Sequence, residues 1–294
     1  MRPPSALLHR LLRVLLGAGL LLLWPTALNA AQTVFYQPLN RDSSLSTEQW
    51  RGIWQQTRAQ GYDRVIVQWS AFGDERFDQN NWLLESLIEA HRQGLSLVIG
   101  LAADPAYFQT VLQAGWKDSF AGYWATLQRQ SLAQQQRLQP LLEQNQLPVE
   151  GWYLPAELSD RLFAERKRRQ QTRDQLVLLA QRLNRPLHVS AYSNGQLSPE
   201  ANALWLSSLE QAGLQVWWQD GEGLHDLPAP ARQAYLQALP CAIGVVREAF
   251  RQVSAPGAPF AAVPSPPQPP VPCHPDAVFE LRYLPWALQL LTPR

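Results

Sequence analysis

Two acids, Glu157 and Glu248, are the residues of this 294-residue chain best placed to do chemistry. Glu157 lies in E-G-W-Y-L-P-A-E-L-S-D (Glu150 to Asp160), an apolar, aromatic run that reaches Pro155 and then hands over to an acid. Glu248 lies in Arg247-Glu248-Ala249-Phe250, directly after the apolar run Ala242 to Val246. Two carboxyl groups flanking a glycosidic bond can cleave it: one protonates the leaving oxygen while the other attacks the sugar or activates water. Glu157 is the expected general acid/base, and Glu248 the expected nucleophile, or the base in an inverting enzyme. That chemistry requires a fold that brings two distant strand ends to one cleft.

The elements that must do so alternate regularly. From Ala31 onward, short apolar runs alternate with amphipathic helical stretches, the pattern of a parallel sheet with helical crossovers. The expected strands are Thr33 to Gln37, Arg64 to Trp69, Leu95 to Leu101, Val149 to Leu154, Pro186 to Tyr192, Leu214 to Trp218 and Ala242 to Val246. Helix signals separate them. Ser46 with Gln49 three residues on forms a capping box, Ser198-Pro199 supplies a cap and a first-turn proline, and Gly61, Gly94 and Gly213 stand at helix ends. An eighth apolar segment, Ala277 to Tyr283, reads either as a strand or as the start of a terminal helix. Residues 31–294 are therefore predicted to form one α/β domain, a (β/α)8 TIM barrel irregular around its last strand, with a proline-rich excursion at 254–275. An open doubly wound sheet is the alternative; the first strand-to-helix loop lacks the G-x-G-x-x-G of a dinucleotide site.

In a barrel, chemistry collects at the C-terminal ends of the strands. Glu157 then follows strand four and Glu248 strand seven, which face each other across the mouth. The expected substrate contacts are Gln37, Asn40, Gln68, Trp69, Trp152, Tyr192, Asn194, Trp218, Gln219 and Asp220. Amides and carboxylates bond hydroxyls, and aromatic faces cover the apolar faces of sugar rings. Tryptophan occurs 12 times, and Trp50, Trp54 and Trp82, on helix faces, are expected in the core. Asp104 before Pro105 and Asp220 before Gly221 also read as ordinary loop and turn residues. Arg247 either orients substrate or pairs with Glu248.

Composition narrows the function further. A formal charge of +1 does not support nucleic-acid binding, and the basic run Arg166 to Arg169 reads as a solvated helix face. Residues 1–30 carry Arg2, Arg10 and Arg13 ahead of an apolar run, Val14 to Trp24, then small residues up to Ala30. This is the pattern of a secretory signal peptide; an uncleaved anchor is the other reading. Export would place the protein in the periplasm or outside the cell, with no stable membrane insertion after cleavage. In that setting Cys241 and Cys273 are expected to pair in a disulfide. Scattered histidines, with no HExxH or paired Cys-x-x-Cys, give no metal signature, and no cofactor is expected.

F-Y-Q-P-L-N-R-D (Phe35 to Asp42), V-I-V-Q-W-S-A-F-G-D (Val65 to Asp74) and G-W-Y-L-P-A-E-L-S-D (Gly151 to Asp160) together resemble a bacterial family of unknown function regarded as TIM-barrel glycosyl hydrolases. The resemblance spans nearly all of the chain after residue 30 and is clearest in its first half. It implies an exported barrel connected with polysaccharide metabolism, with Glu157 as the strand-four acid. Retaining glycosidases of the large barrel clan commonly carry Asn before that acid, where this chain has Ala156. The expected function is hydrolysis of a bacterial poly- or oligosaccharide. The alternative is a noncatalytic carbohydrate-binding barrel serving exopolysaccharide assembly or export; a barrel lyase or another hydrolase is a third reading.

Overall fold

The computed structural model describes residues 32–292 apart from 80, 114 and 256–257, so the expected signal peptide at 1–30 lies outside the described residues. Eight parallel strands close into a barrel: β1 Gln32–Tyr36, β2 Tyr62–Val67, β3 Ser96–Gly100, β4 Gly151–Ser159, β5 Leu187–Tyr192, β6 Gln215–Gln219, β7 Gly244–Glu248 and β8 Asp276–Phe279. Each strand pairs with its sequence neighbours, and β8 pairs with β1 through Thr33 with Ala277 and Val34 with Val278. The segment after Pro275 is thus a strand. A 3-10 turn at Leu281–Tyr283 and a short terminal helix follow it. The open-sheet alternative is excluded by closure.

Helices α1 Thr47–Ala59, α2 Trp82–Arg92, α3 Tyr107–Leu112, α4 Trp116–Gln144, α5 Arg166–Leu183, α6 Pro199–Glu210, α7 Ala229–Ala238 and α8 Pro285–Leu291 surround the barrel. The capping signals act as their chemistry dictates. The Gln49 N–H donates to Ser46 Oγ while the Ser46 N–H donates to Gln49 Oε1, and the Ala201 N–H donates to Ser198 Oγ. Trp50 stacks on Trp54 and Trp82 in the layer between α1 and α2, a core role for all three. The glutamine-rich stretch of α4, Gln128 to Gln139, contributes to the core through buried Ser131, Gln134 and Leu138. The basic run is also only partly solvated. Arg168 and Arg169 fold back on the carbonyls of Leu162, Phe163 and Ala164.

Alternation along each strand divides the core in two. One face packs on the helices; the other points into the barrel, where Phe35, Ile66, Val98, Tyr153, Trp217, Val246 and Ala277 form a separate cluster. Phe35 sits among Tyr153, Trp217 and Phe279 at centroid distances of 5.6, 6.3 and 6.0 Å, all edge-on. This plug fills the interior, and a cavity opens above it at the C-terminal end of the strands. His188 belongs to the lower layer. Burial pushes its imidazole down to about 3, and neutral Nδ1 accepts the Trp217 indole N–H at 3.1 Å, which is a structural role.

Two details shape the mouth. A Cβ on Gly100 would lie 2.3 Å from the backbone of Gln68, so only glycine lets the end of β3 approach β2 this closely. Cys241 and Cys273 are disulfide-bonded with Cα atoms 5.2 Å apart, tying the entry of β7 to the entry of β8. Between those cysteines the proline-rich excursion is partly paired: its Ala262–Pro264 lies antiparallel to Phe250–Gln252 in a short ribbon at the mouth. With a sequence separation of 32, the disulfide is expected to contribute about 3 to 4 kcal/mol by restricting the unfolded chain. Replacing both cysteines with serine should therefore lower the melting temperature by about 6 to 16 °C; an unchanged melting curve would contradict this account.

Candidate active site

Glu157 is not beyond β4 but within it. Leu154 pairs with Val189 and Leu158 with Ala191, so Pro155, Ala156 and Glu157 together oppose only Ser190. This bulge accommodates Pro155, which cannot donate to a regular ladder, and lengthens the strand past its expected end at Leu154. Tyr153, Pro155 and Glu157 all line the cavity above the aromatic plug, while Leu154, Ala156 and Leu158 pack on the helices. The cavity has a volume of about 430 Å³. Gln219 Nε2 donates to Glu157 Oε2 at 3.2 Å and to Ser190 Oγ at 3.2 Å, and Ser190 Oγ is 2.8 Å from Tyr153 Oη. From the other side, Tyr107 donates its hydroxyl to the Glu157 carbonyl at 2.7 Å.

Glu248 ends β7 and lines the same cavity. Its carboxylate accepts the Gly221 N–H at 3.0 Å and the Gly223 N–H at 3.3 Å. The loop after β6 must be glycine-rich to do this: Gly221 has φ +73°, and a Cβ on Gly223 would lie 2.4 Å from the Phe250 carbonyl oxygen. Arg247 does not pair with Glu248. It makes a buried, two-pronged ion pair with Asp276, with Nε 2.6 Å from Oδ1.

Burial pushes both glutamates up to about 7. For Glu157 the Gln219 hydrogen bond opposes the rise and the Asp226 charge adds to it. For Glu248 the Asp220 charge adds to the rise, and the backbone N–H groups of Gly223 and Gly221 oppose it. The bonding patterns separate their roles better than these similar values do. Two backbone donors hold Glu248 as an acceptor, whereas Glu157 has one neutral amide donor and a desolvating setting suited to a protonated acid.

Of the expected contacts, Gln37, Gln68, Trp69 and Gln219 line the cavity. Trp69 is fixed by its indole N–H on the Pro38 carbonyl at 3.0 Å, and Gln68 Oε1 has no partner. The others lie elsewhere. Trp152 and Trp218 are 0% and 1% exposed on the helix-facing side of their strands, one residue out of phase with Tyr153 and Gln219. Asn40 is exposed on a 3-10 turn, Asn40–Ser44. Asn194 accepts the Ser159 hydroxyl at 2.7 Å, and Tyr192 donates to Asp226 at 2.9 Å. Asp220 borders an adjoining recess and stands 3.8 Å from Arg232.

Sequence reasoning missed several lining residues. Tyr153 and Ser190 share the alternation of Glu157 and Gln219, a signal that could have revealed them. Phe72, in the short strand Ala71–Phe72, Phe108, on α3, and Phe260, in a loop, lie outside the eight barrel strands and carry no such signal. A third glutamate, Glu280, follows β8 and is 1% exposed; it accepts the Gln37 N–H at 2.9 Å and lies 2.6 Å from Arg282 Nε. Burial pushes it up to about 7 as well.

A family profile described as a domain of unknown function, DUF4434, matches residues 32–272. The chain belongs to the DUF4434 family. The uncharacterised protein YbcH of Escherichia coli (strain K12) is 33% identical over 283 residues, covering 89% of this chain and 93% of that protein. Among solved structures, a candidate alpha-L-fucosidase from Bacteroides thetaiotaomicron VPI-5482 has a TM-score of 0.54 at 13% identity, covering 80% of this chain and 78% of the other. D-psicose 3-epimerase from Clostridium cellulolyticum H10 has a TM-score of 0.36 at 11% identity, covering 74% and 72%. The DUF4434 chain thus shares a barrel fold with a glycosidase-like protein.

Half-buried Glu157 also sets a pH dependence of stability. Glu157 titrates higher in the folded protein than in the unfolded chain, so its contribution is fully present below about 4.5 and is lost as pH rises through about 7. Glu157→Gln, neutral at every pH, should melt close to the wild-type temperature at pH 4. At pH 8 it should be more stable than wild type by about 1 to 3 kcal/mol. Equal melting of the two proteins at pH 8 would refute the desolvated position of Glu157.

Proposed function

We propose that this DUF4434 protein is an exported glycoside hydrolase acting on a bacterial poly- or oligosaccharide. The observation that carries the reading is the placement of Glu157 and Glu248 on one cavity with contrasting hydrogen bonds. Glu157 donates its proton to the glycosidic oxygen as the bond to the anomeric carbon breaks. Glu248 supplies the opposing carboxylate, which attacks that carbon or takes a proton from the attacking water. Gln219 holds the Glu157 carboxyl, and Gln37 and Gln68 offer amides to sugar hydroxyls. Trp69, Phe72 and Phe250 provide apolar faces for a ring.

The described lining contains Asp104, Glu157 and Glu248 but no Lys, Arg or His. Such a centre favours a neutral or cationic sugar over an acidic one. The disulfide accords with a periplasmic or secreted location, and none of the described helices is long and apolar enough to cross a membrane. Exopolysaccharide machinery is the natural partner for a protein of that kind.

A noncatalytic carbohydrate-binding barrel is the second reading. It is favoured by the engagement of both Glu248 oxygens with backbone amides, which restrains that carboxylate. Release of reducing ends from para-nitrophenyl glycosides, the alpha-L-fucoside among them, and from neutral oligosaccharides separates the two. Glu157→Gln is expected to lower kcat by about 10² to 10⁴-fold, and Glu248→Gln comparably. The wild-type profile should peak near pH 7, with an alkaline limb as Glu157 deprotonates. Wild-type rates in both variants would remove the two glutamates from catalysis. Binding without hydrolysis by the wild type would establish the noncatalytic reading.

A further inference from the structure

A second cavity of about 240 Å³ adjoins the mouth, and Ala103 and Asp104 line both. We propose that this side pocket is a second glycosyl subsite, which takes one neutral, hydroxyl-rich sugar unit of the glycan whose neighbouring unit occupies the mouth. The proposal deepens, and rests on, the reading of the mouth as a glycan site.

Three features argue for a built pocket. Its wall is a small three-stranded sheet in which Ala71–Phe72 pairs antiparallel with Glu75–Arg76 and parallel with Ala102–Ala103. Phe72 of that sheet faces the mouth while Arg76 faces the side pocket. The partition between the two spaces is pinned as well: Asp104 Oδ2 accepts the Tyr123 hydroxyl at 2.6 Å, and Oδ1 accepts the Ala106 N–H at 2.8 Å.

The lining chemistry identifies the ligand class. Arg76 and Arg137 supply donors, Asp74 and Asp104 acceptors, and Gln130 and Gln134 both. The two positive and two negative groups balance, so the pocket selects for alternating donors and acceptors rather than for net charge. Its described lining contains no aromatic ring, in contrast to the mouth. Gln134 is 2% exposed; its Nε2 donates to Ser70 Oγ at 3.2 Å, but its Oε1 has no partner. An unsatisfied carbonyl oxygen in the pocket wall carries a desolvation cost that a hydroxyl donor reaching it from the pocket would relieve. Arg137 stands 3.7 Å from Asp78, too loose a pair to occupy its guanidinium. The space equals that of roughly eight water molecules, which one pyranose ring with its hydroxyls can displace.

Two variants of the full chain test the subsite without touching the mouth. Arg76→Ala removes a donor. Ala133→Trp, at an exposed position of α4 on the pocket wall, fills the space from outside. Both are compared with wild type on para-nitrophenyl monoglycosides, which reach only the mouth, and on neutral tri- to hexasaccharides of the cello-, malto-, chito- and fucosyllactose series. The expected result is a loss of about tenfold or more in kcat/KM on the oligosaccharide that wild type cleaves, with the monoglycoside rate within about twofold. Equal effects on both substrates, or none on either, would overturn the subsite while leaving the hydrolase reading intact. If wild type cleaves nothing, calorimetric titration with the same oligosaccharides decides. About tenfold weaker binding by Ala133→Trp supports the subsite although the hydrolase reading fails; undiminished binding, or no binding by wild type, overturns it.

Discussion

The pairing of β8 with β1 is the constraint on which the rest of the molecule depends. Until Ala277 lies beside Thr33, the strands have no inside, and nothing distinguishes the Phe35 face from the Val34 face. Closure turns alternate residues into an aromatic plug of Phe35, Tyr153, Trp217 and Phe279, which fills the interior below the cavity. The last strand reaches its place only after a long proline-rich detour, and the Cys241–Cys273 bond shortens that detour to a tether. Closing a covalently shortened loop costs less chain entropy than closing a free one.

Within that frame, the mouth is built from departures from regularity. The bulge at Pro155 to Glu157 carries a carboxyl group into the cavity that an unbroken ladder would have finished below. Gly221 and Gly223 give Glu248 two backbone donors at positions where a side chain is strained or excluded. Glu280, with Arg282 and Asp42, holds the backbone of Gln37. Glu248 and Glu280 are buried and Glu157 half-buried, so the mouth holds three carboxyl groups at a desolvation cost. Such concentration at the C-terminal end of a barrel is where chemistry is expected, because loops can vary there without disturbing the core.

The comparison with known folds fits the same division. A DUF4434 chain and a glycosidase-like barrel share architecture at 13% identity because closure and alternation require only apolar residues of suitable size. The loop residues that would fix a substrate are free to differ, and architecture alone assigns none. The side pocket belongs to this variable part: its wall comes from the β2 and β3 connections together with α4.

By itself, the sequence determined the order of the strands and helices, the helix starts at Ser46 and Ser198, the partnership of Cys241 with Cys273, and Glu157 and Glu248 as acids near strand ends. These follow from local stereochemistry, apolar periodicity and residue chemistry. Only the tertiary structure decided that Trp152 and Trp218 face the helices while Tyr153 and Gln219 face the mouth. Strands buried on both faces carry no polar alternation to mark their inner side. It also decided that β4 continues through Pro155, that Ala277 begins no helix, and that Arg247 turns to Asp276 rather than Glu248. The reason is common to all three: register and facing are set by partners far away in the chain, and local pattern cannot contain them.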